Sequence, residues 1–304
     1  MYLKPSIECL RCTLAIRLKE VELSNLNNDS KLVLAKKLVL KVLEEFNWDI
    51  EITEFESNIF RYVISMAPGV VDYYRKLKLA LNRKALENVK VHEEYARRLS
   101  GYERFNYLVK LSAVANLIDY GVADHKPLSG DINPEYVESF PVYRDDSRAL
   151  YDMVVKGGQR VVWLFDNAGE AVYDALLIKE IKRMGNYVYG LVKDEPGFQN
   201  DLSISDLEYS GLMDVLDGVK GYGCNCSSIH LDHISTEARE LVKKASVIIA
   251  KGMSHFEYLS EIDLVNPTVF VLIPKCDPVA KRVALGSTSS RGKIVVLLKG
   301  ASGV

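Results

Sequence analysis

The residues of this chain that could do chemistry fall at the ends of short apolar runs. VVWLF, residues 161–165, is followed at once by Asp166-Asn167. YVYGLV, residues 187–192, is followed by Lys193-Asp194 and then by Asn200-Asp201. ASVIIA leads into Lys251-Gly252, and PTVFVLI into Pro274-Lys275-Cys276-Asp277. Acids gather behind the first two runs and lysines behind the next two. Carboxylates and carboxamides are hard oxygen donors suited to a divalent cation, and fixed ammonium groups suit a phosphate. Together they describe a site for metal-assisted chemistry at a phosphoryl group. Each residue singly has a plainer explanation. Asp166 can cap the helix that follows, and the others can be solvated loop charges. Recurrence at four run ends favours the site.

The elements that position these residues are legible in the pattern. Wholly apolar runs of five to seven residues suit strands buried on both faces of a parallel sheet. From Gln159 onward such runs alternate with helices, ending in KIVVLL, which is the βαβ signature of an α/β fold. In open α/β sheets ligands sit outside the carboxyl ends of the strands. Behind Asp166-Asn167 the segment AGEAVYDALLIKEIKRMG reads as a helix closed by Gly185, its positive end beside the acidic pair. Upstream the chain reads as helix after helix. Ser6 and Ser30 are expected to cap the first two, and ESNIFRYVISMA is the third, stopped by Pro68-Gly69. Asp72 opens a long charged helix broken near Val89, and FNYLVKLSAVANLIDYG ends at Gly121. Residues 122–146, rich in Pro and Asp and containing Gly130, read as a connecting loop with a short strand near 139–142. SRALYDMVVKGG is one more short helix. The expected fold is α/β: a Rossmann-like, mostly parallel sheet with helices on both faces, plus an N-terminal all-helical domain. The expected division is 1–157, helical with a connecting loop, and 158–304, the α/β unit.

Composition bounds the function classes. The hydrophobic content of 48% supplies a sizeable core, and no apolar run approaches the ~20 residues of a membrane span. MYLKPSIECLRC shows no signal-peptide core, so the chain reads as soluble and cytoplasmic. A net charge of −2 gives no footprint for nucleic acid or an anionic membrane. The phosphate-loop motif G-x-x-x-x-G-K-[ST], the dinucleotide motif G-x-G-x-x-G after the first run and the nucleophile elbow G-x-S-x-G are all missing. Five histidines contain no H-E-x-x-H, and His230 with His233 is too few ligands for zinc. The five cysteines are Cys9, Cys12, Cys224, Cys226 and Cys276. Cys9-x-x-Cys12 and Cys224-x-Cys226 leave three options: buried or free thiols, a disulfide, or one four-thiolate zinc site. Cys-x-Cys is an uncommon zinc spacing, so thiols without structural zinc are expected.

Six ordered stretches carry a resemblance: CLRC at 9–12, ANLIDYG at 115–121, FDNAGE at 165–170, NDLSISD at 200–206, AKGMSHFEYLSE at 250–261 and LIPKCDPVA at 272–280. In these the chain resembles the metal-dependent damage-control phosphatases, a former domain-of-unknown-function family, in the archaeal and bacterial branch with CxxC. The resemblance implies a divalent metal (Mn, Mg, Co or Ni) on Asp166, Asn167 and Asp201, and a substrate phosphate on Lys251. It implies that Asn116 and Asp119, on one helix face, reach the same cleft. Glu170, Asp206, Glu257 and Lys275 match further polar positions of the family. Two stretches depart from its pattern. Ser254-His255 replaces the usual Gly-Asn, which puts a histidine near the phosphate as a proton donor or is a tolerated loop change. Cys224-Asn-Cys226 stands where Gly and Ser are usual.

The function expected is hydrolysis of phosphomonoesters of small metabolites, either sugar phosphates or damaged phosphometabolites. Asp166 and Lys251 are the expected catalytic residues, with the attacking group left open between water and the Asp166 carboxylate. Substrate contacts are expected from Asn116, Asp119, Glu170, Lys251, Glu257 and Lys275. Two other classes stay open: a methyltransferase using S-adenosylmethionine, with Asp194 as its acidic residue, and a non-enzymatic metal- or ligand-binding protein. The partner expected is a small phosphorylated metabolite, not nucleic acid or membrane. Oligomeric state is left open.

Overall fold

The computed structural model describes residues 5–128 and 132–300, so Gly130 and the chain's first and last four residues lie outside the described residues. The sheet has seven strands: β1 (Val142–Asp145), β2 (Arg160–Leu164), β3 (Tyr187–Val192), β4 (Gly218–Gly221), β5 (Val247–Lys251), β6 (Thr268–Leu272) and β7 (Ile294–Lys299). Their spatial order is β1-β7-β6-β5-β2-β3-β4. Every pair is parallel except β6 with β7. The chain leaves β2 toward β3 and β4 on one side, then returns to β5 on the other. The order therefore reverses between β2 and β5, the topological switch point at which such sheets bind ligands.

The strand pattern explains why both faces are covered. Val161, Trp163 and Phe165 point into one core with Val247, Ile249, Val269 and Val271. Val162, Leu164, Ile248, Ala250, Phe270 and Leu272 point into the other. Alternation of side chains along a strand makes a run apolar on both faces when helices cover both. Each such side chain contributes about 1.5–3 kcal/mol by its burial. Helices α5 (Gly101–Ala115), α7 (Ser147–Val154) and α8 (Glu170–Arg183) bury their apolar faces in the first core. The second takes α9 (Thr236–Lys243), α10 (Gly252–Leu259) and α11 (Asp277–Val283). A third core binds α1 (Ile7–Leu23), α2 (Asn28–Glu45), α3 (Ile52–Met66) and the start of α4 (Gly69–Arg97). Phe198, from the loop after β3, inserts into this third core, its ring 4.9 Å from Phe60. The helical region thereby grips the loop that carries Asp201.

Several local expectations are corrected. Asn27, not Ser30, caps α2; its side chain accepts from the Ser30 N–H at 2.9 Å. The α4 helix starts at Gly69, before Asp72, and runs unbroken past Val89. The segment before β1 folds into a short helix, α6 (Pro134–Ser139). Strand β4 was not legible, because GVKG has no apolar run; it forms because the edge of β3 offers it a partner. The helix expected between YVYGLV and ASVIIA is present just before β5, at Thr236–Lys243, and a 3-10 turn, Ile204–Tyr209, precedes the unexpected β4. Strand β1 comes from the segment before residue 157 yet pairs with β7, and the first core draws residues from both sides of that position. Among the described residues, no helix is long and apolar enough to cross a membrane.

Candidate active site

Asp166 and Asn167 leave β2 at the switch point. Asp166 does not cap α8: Gly169 holds the cap position, with φ 79°. The Asp166 Oδ2 instead accepts from Asn167 Nδ2 at 2.8 Å and from Asn116 Nδ2 at 2.9 Å. Asn116 is the residue that closes α5. Both carboxamides also donate to Glu170 Oε2, at 2.8 and 3.0 Å. Asp201 is brought alongside by an isolated antiparallel bridge to Asn167, and Asn200 Nδ2 donates to Asn167 Oδ1 at 2.7 Å. From the neighbouring β5, Gly252 turns with φ 76°, and a Cβ there would overlap the Asp166 carboxylate. The Lys-Gly turn therefore needs glycine for two reasons, the positive φ and the close approach of a charged group.

Asp166, Asn167, Asp201, Asp119 and Glu257 line one cavity of about 140 Å³, which runs from the switch point to the first turns of α1. Asn116, Glu170, Lys251 and Lys275 stand behind its wall. Lys275 Nζ donates to Asp119 Oδ2 at 2.8 Å and to Asn116 Oδ1 at 3.0 Å, coupling the end of β6 to the end of α5. Lys251 departs from the expected phosphate contact. Its ammonium is 0% exposed and donates to Glu170 Oε1 at 2.5 Å, Asp174 Oδ1 at 2.9 Å and the Ser112 carbonyl at 3.0 Å. Those three acceptors match the three protons of an ammonium. His255 departs as well. It is buried, its Nε2 is 2.6 Å from the Tyr222 hydroxyl, and only its neighbour Ser254 lines the cavity. Burial first, then Lys193 and His230, hold its imidazole well below the usual range, so it is neutral. Asp206 caps its own 3-10 turn and pairs with Lys78 at 2.6 Å.

The electrostatics are those of a crowded acidic pocket. Asp166 and Asp201 are each 6% exposed, buried and not on the exposed strand ends their position suggests. Burial, then Glu170, Asp201 and Asp119, push the Asp166 carboxyl well above the carboxylate range. Burial also lifts Asp201 to about 7 against the opposing pull of Lys193, whose Nζ is 3.4 Å away. Burial works to raise Asp119 too, but Lys275 and the Gly121 N–H outweigh it and leave the group below its ordinary value. Five buried carboxylates (Asp119, Asp166, Glu170, Asp174, Asp201) face three buried ammonium groups (Lys193, Lys251, Lys275). With every group ionised the acids would exceed the ammonium groups by two charges, an excess that the raised Asp166 and Asp201 groups relieve by holding protons and that a divalent cation would offset. Among the described residues no three histidine, cysteine or acidic side chains converge on one point. Asp166, Asp201 and Asn167 line the cavity together, with Asn167 bridged to Asp201 and bonded to Asp166. An all-oxygen set of this kind fits a hard divalent cation.

Sequence reading named Lys193 behind its strand without giving it a role, and it missed Asp174 and Ser112. Helical spacing was the signal for those two: Asp174 lies four residues after Glu170, and Ser112 four before Asn116, which puts each on its partner's face. The cysteines also depart in part from expectation. Cys224 and Cys226 are joined to each other, while Cys9, Cys12 and Cys276 are free and line the outer part of the cavity.

Fold and site together define an α/β protein with an acidic, oxygen-lined cleft at its switch point. The chain belongs to the family of the damage-control phosphatase ARMT1-like domain, whose model matches residues 6–289. It is 31% identical over 291 residues to a damage-control phosphatase of Pyrococcus horikoshii, covering 92% of this chain and 94% of that one. It is 29% identical over 231 residues to a damage-control phosphatase of Archaeoglobus fulgidus, covering 75% and 77%. A crystal structure of a DUF89 family protein from Pyrococcus horikoshii matches with a TM-score of 0.81 at 28% identity, covering 97% of this chain and 98% of that one.

Proposed function

We propose that this protein hydrolyses phosphomonoesters of small metabolites, sugar phosphates or damaged phosphometabolites, with a divalent cation held by Asp166, Asn167 and Asp201. The observation that carries the reading is the pairing of Asp166 and Asp201, both buried and both with raised carboxyl groups, at the switch point of the sheet. A divalent cation there supplies positive charge against the phosphoryl oxygens. The oxygen donors do not choose among manganese, magnesium, cobalt and nickel.

The roles of the chain's own residues follow from their contacts. Asp166 is fixed through Oδ2 by two carboxamides, which leaves Oδ1 for the reacting group. Lys275, at the back of the Asp119 wall, is the ammonium best placed to offset phosphoryl charge. Lys251 takes a different part from the one expected. It holds Glu170 and Asp174, and through Glu170 it orients the carboxamides of Asn116 and Asn167. Asp119 and Glu257 face the carbon part of the substrate. The reading keeps the protein in the cytoplasm, where such metabolites occur. The methyltransferase alternative has no observation in its favour: the turn after β2 has one glycine and is filled by Asp166 and Asn167.

The test is turnover of p-nitrophenyl phosphate and a panel of sugar phosphates by metal-stripped protein, with and without each of the four metals. Turnover only with added metal, abolished in Asp166→Ala and Asp201→Ala, is expected. Full turnover in EDTA, or none with any metal, overturns the proposal.

A further inference from the structure

Around the acidic cleft, most side-chain nitrogens are engaged with the protein itself. Lys251 gives its three protons to Glu170, Asp174 and Ser112, and Lys275 gives two of its three to Asp119 and Asn116. Lys193 donates to the Ser227 carbonyl at 2.6 Å and lies beside Asp201. The amide groups of Asn116, Asn167 and Asn200 each donate to a neighbouring site residue. Among the described residues, two that line the cavity differ. Arg17 keeps one buried nitrogen, Nε, without an acceptor, but its other nitrogens are held by Glu20 and Glu56 and its guanidinium lies over the Phe60 and Phe198 rings. Gln199 lines the cavity two residues before Asp201, it is 7% exposed, and its Nε2 is buried without an acceptor among the described residues. A buried amide donor left unpaired is costly, so a ligand that accepts from it gains by doing so.

The backbone adds a second observation. Gln199 has φ 48°, one of two non-glycine residues with positive φ among the described ones. An L-residue in that region is held there by its surroundings, and such outliers cluster at functional sites. The surroundings are identifiable. Phe198 is locked into the third core, Asn200 accepts from the Tyr120 N–H, and Asp201 bridges to Asn167. Gly121 leaves the room the side chain occupies, because a Cβ there would stand 2.6 Å from Gln199 Oε1. The carboxamide is thus packed against the segment that carries Asp119. The last torsion of a glutamine is broad, so the amide plane can turn its donor to the cleft without moving the chain.

We propose that Gln199 is a substrate-binding residue whose carboxamide donates a hydrogen bond to a non-transferred oxygen of the phosphoryl group. Phosphoryl oxygens are acceptors only, and the Gln199 carboxamide is an unspent donor for them beside Asp201. This rests on the phosphatase reading and deepens it by assigning the contact that orients the phosphate.

The test compares the metal-loaded wild type with Gln199→Leu and Gln199→Glu. Three readouts serve: kinetics on p-nitrophenyl phosphate, kinetics on a sugar phosphate, and binding of inorganic phosphate by calorimetry. Losing one hydrogen bond to a charged group should weaken both substrates and inorganic phosphate by about tenfold or more. The effect should appear in KM and in the phosphate dissociation constant, and be larger for Gln199→Glu, which adds repulsion. Melting temperatures keep the comparison clear of misfolding, and one folded variant is enough to decide. Unchanged phosphate binding in a folded variant overturns the proposal. So does a loss confined to the sugar phosphate, which would put the acceptor on the carbon part. Wild-type protein that binds phosphate but hydrolyses nothing would refute the phosphatase reading alone, with the calorimetry still deciding on Gln199. Wild-type protein that does not bind phosphate would refute both.

Discussion

Glu257 faces the cavity from α10 with no hydrogen bond or ion pair from the protein among the described residues, and burial followed by the Glu51 and Glu56 carboxylates raises it from about 4.5 to about 8. A carboxyl group in that state is a neutral donor and acceptor at physiological pH, suited to a hydroxyl of the substrate. Its linkage to folding has a definite sign. The folded protein holds the proton more tightly than the unfolded chain, so the stabilisation is complete below about pH 4.5 and is lost as pH rises toward 8. Glu257→Gln should therefore match the wild type in melting temperature near pH 5 and exceed it above pH 8. Parallel melting curves across that range would show that Glu257 ionises normally. Asp166 obeys the same physics with a different outcome. Its neighbours are acids at the centre of the cleft, and a cation bound there would restore its charge.

At the scale of elements, Lys251 is a junction. It leaves the last position of β5 and joins α5 through Ser112 and α8 through Glu170 and Asp174. Burial works to lower its ammonium, and the two carboxylates outweigh that and hold it above its ordinary value. Breaking a buried ion pair by removing one partner typically costs about 3–5 kcal/mol, since the remaining charge is stranded. Lys251→Met should lose about that much in denaturant unfolding. The same variant folded at wild-type stability, with a raised KM as its main defect, would return Lys251 to the phosphate. Gly252, next to it, belongs to the same junction, because only glycine lets α10 start against the Asp166 carboxylate.

At the scale of the whole molecule, a cation held in the acidic cleft would couple ligand binding to folding. A cation bound only by the folded state stabilises it by about 2.7 kcal/mol at a hundredfold excess over its dissociation constant. For a chain of this size that is a rise of roughly 3–8 °C in melting temperature. Added manganese or magnesium should raise the melting temperature of metal-stripped protein, and Asp166→Ala with Asp201→Ala should abolish the rise. A shift that survives both substitutions would locate the metal elsewhere. The helical region takes part in this coupling, because Phe198 is buried between Phe60 and Arg17 while its neighbours reach the cleft.

The sequence by itself determined the apolar runs, their alternation with helices and the polar residues behind them. From those came the parallel sheet, the Asp166, Asn167 and Asp201 set, and, through six ordered stretches, the resemblance to the family. These are local properties, since a strand buried on both faces must be apolar throughout and its end must turn. Tertiary structure decided the rest. GVKG became a strand only because β3 had a free edge, and KIVVLL ran antiparallel only because of where the chain arrived. Lys251 and Lys275 look alike behind their strands, yet one meets two carboxylates under α8 and the other meets Asp119 and Asn116 at the cleft. A lysine's role is set by which acceptors lie within reach of its ammonium, and those acceptors come from positions 77 to 159 residues away in the chain. Burial has the same origin. Asp166 and Asp201 read as polar loop residues, and packing of the helical region over the carboxyl edge of the sheet excluded the water that would have kept them ordinary.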